Sequence, residues 1–345
     1  MNHIENKILV TGGTGLLGSH LLLSLTLEGK RPRATYRSES SLEFTKKVFR
    51  YYAAEADELF RNIEWVRADI LDRSSVKDAV SGCGQVYHCA ASVSFDKAKS
   101  EETIKTNSEG TASVVEACLS AGEIRLCHVS SVAALGARGG EKKTDETHEW
   151  VTSSRNSAYG ISKYLSEQEV WMGIKEGLDA VIVNPSIILG PGEWNRGSSQ
   201  FFSRIADGMR FCTEGMTGYV DVRDVVKAMI LLMNSGISGE RYIISSENLS
   251  YSQLFRMIAN AMGIRRRFIS VPKILSYPAR WILALAGPVS GNSMTQIAGA
   301  MKAAFSQVSF DNSKIISHTG MSFIPMQQSV DETVKLYLND REHKS

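Results

Sequence analysis

The chain has 345 residues, a formal net charge of +2, 43% hydrophobic and 22% charged residues, values ordinary for a soluble globular protein of about two domains, or of one large α/β unit with a smaller lobe. No basic block exceeds Arg265-Arg266-Arg267, so nothing asks for nucleic acid. Five cysteines, odd in number and without a C-x-x-C pair, argue against a disulfide framework and read as reduced and cytoplasmic.

The N-terminus reaches an apolar run (Ile8, Leu9, Val10) too soon to hold a signal peptide. That run meets Thr11-Gly12-Gly13-Thr14-Gly15-Leu16-Leu17-Gly18 and then a leucine-rich segment, a strand, glycine turn and helix. Gly12 permits the tight turn, Gly15 lets the main chain approach a pyrophosphate, and Gly18 lets helix and strand pack closely. The phosphates of a dinucleotide would sit on the free N–H groups at the helix start, with Thr14, Leu16 and Leu17 beside them. The spacing G-x-x-G-x-x-G is one residue wider at the front than the dehydrogenase fingerprint.

Arg33 to Tyr36 reads as a second strand ending at Arg37. An acidic residue at this position would bind the ribose 2′-hydroxyl of NAD, whereas an arginine suits the 2′-phosphate of NADP. A solvated arginine is the plainer alternative, and Glu39 stands close by. Residues 39 to 60 look helical, and 63 to 66 look like the third strand, leading to Asp69, Ile70 and Asp72. Asp69 is a candidate acceptor for the adenine amino group, while Asp72 suits an N-cap. The fourth strand, Val86 to Cys89, runs into Ala90-Ala91-Ser92, small residues that let a cofactor lie against the strand ends. His88 reads as a packed strand residue.

A helix over 103–121 containing Asn107 and a fifth strand over 126–130 complete an alternation that means a parallel, doubly wound sheet, which binds ligands at the carboxyl ends of its strands. The fifth strand ends in Ser130-Ser131, and Tyr159 and Lys163 follow at i and i+4, on one helix face. The ammonium at that spacing predicts a phenol lowered from its reference of about 10, usable as acid and base. Ser131 would hydrogen-bond the substrate oxygen and Lys163 would also hold the nicotinamide ribose. A Y-x-x-x-K occurs on many solvated helices, but here it follows a serine pair at a strand end.

With these residues in view, the chain resembles the extended short-chain dehydrogenase/reductases. The motifs TGGTGLLG, ADILD, VYHCAAS, KTNSEGT, HVSSVAALG, YGISK, NPSIILGPG, YVDVRDVVKAM and FDNSKI occur in the order of that superfamily and cover almost the whole chain. The resemblance implies an α/β fold: a doubly wound parallel Rossmann sheet with a smaller C-terminal substrate-binding lobe. The expected division is 1–185 with 219–247 returning to it, and 186–218 with 248–345 as the lobe. It implies catalytic Ser131, Tyr159 and Lys163, a cofactor wall including Asn107 and Ser130, and Pro185 and Ile187 bordering the nicotinamide. No metal is implied.

RPRATYRSES and YGISKYLSEQ resemble most the dihydroflavonol-4-reductase-like branch, typically NADPH-dependent. Against the sugar-nucleotide branches, Ser131 is followed by Val132-Ala133 where dehydratases carry Asp-Glu. Thr217-Gly218 stands before Tyr219 where many epimerases place an arginine. The expected activity is therefore interconversion of a carbonyl and an alcohol with NADP, NAD being the weaker fit. A sugar-nucleotide epimerase and a 3β-hydroxysteroid dehydrogenase-like oxidoreductase/isomerase are the alternatives. The family also implies a homodimer through the helices from about Thr103 and Ser157. The longest uncharged run, Trp281 to Met301, is interrupted by Gly287, Pro288, Gly291, Asn292 and Gln296 and fails as a membrane span. The apolar helix expected over 274–286 reads as lobe core, with a substrate lid or membrane contact as the alternative.

Overall fold

The computed structural model describes residues 7–93, 97–136, 143–153, 156–271 and 305–343. Seven strands form one sheet: β1 Lys7–Thr11, β2 Arg33–Tyr36, β3 Glu64–Arg67, β4 Cys83–His88, β5 Arg125–Val129, β6 Asp179–Pro185 and β10 Glu240–Ile244. Their order is β10-β6-β5-β4-β1-β2-β3, and every pairing is parallel. The direction of winding reverses between β1 and β4, which puts the ligand crevice at their carboxyl ends.

The strands' alternation sorts their side chains onto two covered faces. Val10, Tyr87, Cys127, Val129, Val181 and Val183 join a core with α1 (Leu16–Leu27) and α8 (Val222–Met233). Leu9, Val86, Leu126, Ala180 and Ile182 face α4 (Arg73–Val80), α5 (Ser100–Ala121) and α6 (Ala158–Lys175). A parallel sheet buried on both sides needs such near-continuous apolar strands.

The helix expected over 39–60 is interrupted. A short 3₁₀ turn leads to α2 (Leu42–Tyr52), and α3 (Ala56–Arg61) follows after Ala53 takes extended angles of φ −134° and ψ 135°. The break returns α3 onto α2, so that Phe49 and Phe60 meet edge to face at 6.1 Å. Tertiary packing here outweighs a segment with no Gly or Pro at the break.

The remaining strands are short: β7 Ile187–Leu189, β8 Phe211–Thr213, β9 Met216–Asp221, β11 Glu247–Ser250 and β12 Ile269–Val271. β9 lies between β7 and antiparallel β11. With α7 (Gln200–Ala206), α9 (Tyr251–Ala261) and α11 (Met326–Glu342) they enclose a third core that includes Leu189, Phe202, Tyr219, Leu254 and Val330. A reciprocal capping box between Ser250 and Gln253 starts α9. From α10 (Ser313–Thr319), Ile315 packs back into the sheet-side core with α8. The apolar segment 274–286 lies outside the described residues. Among those described, no helix is long and apolar enough to cross a membrane, and no group of three or more His, Cys, Asp or Glu is placed to hold a metal.

Candidate active site

The glycine turn closes on itself. Gly12 has φ +67°, and a Cβ there would come within 2.7 Å of the Ala90 backbone; a Cβ on Gly18 would come within 2.2 Å of the Gly12 carbonyl oxygen. Gly15 is exposed and occupies the N-cap of α1 with no side-chain cap, leaving first-turn N–H groups for an anion. Thr14 and Leu16 are half-buried and Leu17 is buried beside it. Gly13, to which no role was given from sequence, is equally constrained: a Cβ would sit 2.9 Å from Ala34 Cβ and Leu22 Cδ1. This turn, with no side-chain cap on α1 and with exposed Gly15 at its N-cap, fits a dinucleotide pyrophosphate.

The neighbouring strand ends are tied to it. Ala90 N–H donates to Thr11 Oγ1 (3.3 Å), and Thr11 is hydrogen-bonded to His88 Nδ1 (2.8 Å). Thr111 donates to the Asn107 carbonyl (2.7 Å), so it accepts from His88 Nε2 (3.1 Å), and Thr11 is then the donor to Nδ1. Burial lowers the His88 imidazole to about 3, which keeps it neutral and fits its reading as a packed residue. Asn107 is buried and its amide is engaged throughout: Oδ1 accepts from Ser92 N–H (2.7 Å), and Nδ2 donates to the Ser92 carbonyl (2.9 Å) and to Ser162 Oγ (2.9 Å). It joins the Ala90-Ala91-Ser92 segment to α6. Ala91 is exposed, with Ala90 and Ser92 half-buried.

Toward the other end of the crevice Arg37 is exposed one residue beyond β2, and Asp69 is exposed two residues beyond β3. Asp69 Oδ1 accepts from Leu71 N–H at 3.0 Å. Asp72 caps α4 by accepting from Ser74 N–H. Ile70 fills the space beside Gly110, where a Cβ would come within 2.4 Å of its Cδ1. Pro185 is buried at the end of β6, and Ile187 is half-buried at the start of β7.

The structure brings Ser131, Tyr159 and Lys163 together. Ser157 caps α6 through Gly160 N–H, setting Tyr159 in its first turn. Ser131 Oγ accepts from Ala133 N–H at 3.2 Å, and the same hydroxyl is hydrogen-bonded to the Tyr159 phenol. Lys163 is 4% exposed and donates from Nζ to the Val129 carbonyl at 2.8 Å. Burial lowers its ammonium to about 8, against the opposing pull of Cys89 and Glu167. The depressed phenol expected from the Tyr-Lys spacing is not what the structure shows. Burial raises the Tyr159 phenol, and the group pulling it down is Ser131. The physical reason is desolvation, which disfavours phenolate more strongly than one hydrogen bond restores it.

Ser130, expected on the cofactor wall, turns its hydroxyl inward onto Glu167 Oε1 at 2.5 Å. Glu167 and Asn184, both buried, and half-buried Arg241 form a group behind the serine pair; the motifs YGISKYLSEQ and NPSIILGPG contain the first two, but no role was read for them from sequence. The available signal was Glu167 standing four residues beyond Lys163.

This sheet order, glycine turn and Ser-Tyr-Lys group define an enzyme that uses a nicotinamide dinucleotide, of the extended short-chain dehydrogenase/reductase class. The chain belongs to the NAD dependent epimerase/dehydratase family, whose model matches residues 8–245. Relatives include a putative dihydroflavonol 4-reductase of Synechocystis sp., 28% identical over 96% of this chain and 94% of that protein. Sterol demethylase protein B of Methylococcus capsulatus is 32% identical over 76% of this chain and 77% of that protein. Among solved structures, gox2253 is 28% identical with a TM-score of 0.78, covering 97% of this chain and 99% of that one. The UDP-glucose 4-epimerase of Thermotoga maritima, 22% identical with a TM-score of 0.76 over 97% and 99% of the two chains, shares the fold.

Proposed function

We propose that the protein interconverts a carbonyl and an alcohol with NADP(H), with Tyr159 as acid and base. The observation that carries this reading is the hydrogen bond from Ser131 to Tyr159, with Lys163 buried one helical turn beyond the phenol. A phenol held protonated by burial is suited to give its proton to a carbonyl oxygen as the alcohol forms. Ser131 holds that oxygen, and Lys163 holds the dinucleotide ribose and offsets charge on the phenolate until water restores the proton. A nicotinamide bound at the glycine turn would supply the hydride.

The reductase names among the relatives, dihydroflavonol 4-reductase and cinnamoyl-CoA reductase, support a small carbonyl substrate. Exposed Arg37 supports NADP. We assign residues 1–185 and 219–247 to cofactor binding and 186–218 and 248–345 to the substrate lobe, in a cytoplasmic homodimer. The similarity to a protein named for sterol demethylation favours, as a second reading, a 3β-hydroxysteroid dehydrogenase-like oxidoreductase/isomerase.

The test is nicotinamide absorbance with NADPH or NADP against ketones, aldehydes, sterols and sugar nucleotides. Stoichiometric NADPH consumption with a carbonyl is the expected result. Conversion of a sugar nucleotide without net change in the nicotinamide overturns it in favour of an epimerase. Turnover confined to sterols selects the second reading.

A further inference from the structure

Behind the reacting hydroxyls lies a buried carboxylate. Glu167 is 1% exposed and follows Tyr159 and Lys163 at i+8 and i+4, in the same row of α6. Its Oε1 accepts from Ser130 Oγ and from Asn184 Nδ2, both at 2.5 Å, and its Oε2 pairs with Arg241 at 3.4 Å. Asn184 donates from the same Nδ2 to the Ser131 carbonyl at 3.0 Å. The carboxylate thus holds both residues of the serine turn, Ser130 directly and Ser131 through Asn184.

Arg241 extends the group to the segment that follows the turn. Its guanidinium donates to the carbonyls of Glu146 (3.0 and 2.7 Å) and His148 (2.7 Å). Glu146 in turn accepts from Ile243 N–H at 2.8 Å, and Trp150 stacks on Tyr164, the neighbour of Lys163, at 4.5 Å and 11°. An ion pair between a buried carboxylate and a half-buried guanidinium at 3.4 Å adds little net stability compared with an apolar filling of the same space. Its consequence here is geometric, because its hydrogen bonds tie the serine turn, the end of β6 and residues 146–148 to α6.

We propose that Glu167 is a positioning residue for the reaction: it fixes the Ser130-Ser131 turn so that Ser131 meets the Tyr159 phenol, sustains the Lys163 ammonium, and through Arg241 holds residues 146–148 against α6. For its turnover readout this rests on the reductase reading. The charge on Lys163 has several neighbours. Cys89 and His88 face it from the end of β4, His128 from β5, and Tyr159 and Glu167 from its own helix. Glu167 is the carboxylate acting on it.

The experiment compares full-length wild type, Glu167→Gln and Arg241→Lys by NADPH affinity from pH 6 to 10.5, read by fluorescence, and by NADPH consumption. Glu167→Gln lowers kcat by about tenfold or more, as loss of orientation does, and moves the alkaline loss of NADPH affinity to lower pH, since the ammonium loses its neighbouring negative charge. Arg241→Lys keeps that charge but not the guanidinium fork, so KM for the carbonyl rises while the alkaline limb stays in place. A Glu167→Gln protein with unmoved limb and kcat within twofold of wild type overturns the proposal. Should that variant not fold, Ser130→Ala keeps the carboxylate and cuts its tie to the turn: kcat falls with the limb fixed, and unchanged kcat overturns the proposal. A wild type that reduces no carbonyl, but whose binding limb shifts in Glu167→Gln, refutes the reductase reading and supports this inference.

Discussion

Lys163 Nζ donates a hydrogen bond to the Val129 carbonyl at 2.8 Å, tying the strand that delivers Ser131 to the helix that delivers Tyr159. The ammonium therefore organises two chain segments as well as contributing charge. Tyr159→Phe keeps the ring and removes the transferable proton, so turnover should fall by about 10² to 10⁴ with NADP affinity retained. Lys163→Met should injure both binding and turnover, and Ser131→Ala should injure turnover more than binding. Steady-state rates beside calorimetric NADP titrations check all three; a Tyr159→Phe enzyme at wild-type kcat refutes the assignment.

Acid should destabilise the fold through its buried histidines. His20 and His88, 4% and 1% exposed, are held by burial at about 4 and about 3, and His128 is also lowered. An unfolded histidine takes a proton near 6.5, so below that pH the unfolded chain binds more protons than the folded one and stability declines as pH falls. Each group contributes a loss of about 1.4 kcal/mol per pH unit until its folded value is reached. Urea unfolding at pH 7 and pH 4.5 reads the slope, and His88→Gln should flatten it. Equal slopes in the two proteins count against the assignment.

Gly18→Ala should damage both fold and cofactor site. The new methyl would lie 2.2 Å from the Gly12 carbonyl oxygen, a backbone atom of the same turn, and overpacking of that kind costs about 1–3 kcal/mol or more. A lowered melting temperature together with weakened NADPH binding is expected. An unchanged melting temperature would contradict the geometry.

Arg37 is exposed one residue beyond β2, where an arginine would suit a 2′-phosphate. NADP should bind more tightly than NAD, and Arg37→Asp should erase or reverse the preference by replacing attraction with repulsion. Calorimetric titration of both cofactors decides it; equal affinities in the wild type would sink the idea.

The helices α5 and α6 should pair with their copies about a two-fold axis. Light scattering at micromolar concentration is expected to return twice the chain mass. A monomer mass refutes the homodimer.

The sequence by itself determined what is local. Gly12, Gly15 and Gly18 lie within seven residues, so backbone chemistry alone announces the pyrophosphate turn, and Tyr159 with Lys163 share a helix face by their spacing. Apolar runs alternating with helices were enough to expect the parallel sheet. Asp72 was legible as a cap because a cap acts two residues away.

Tertiary structure decided whatever depends on partners distant in the chain. The break at Ala53 serves the packing of Phe49 on Phe60 and carries no local signal. Burial set the direction of the Tyr159 phenol against the one suggested by its lysine, because desolvation depends on everything packed around a group and spacing reports only its neighbours on one helix. Ser130 offered two faces, and only the arrival of Glu167 from 37 residues on gave its hydroxyl an interior partner. Arg241 reaches that same carboxylate from 74 residues away, since the sheet places β6 between β5 and β10, with Arg241 opposite Ile182 and with Asn184 and the serine turn further toward the carboxyl ends of β6 and β5.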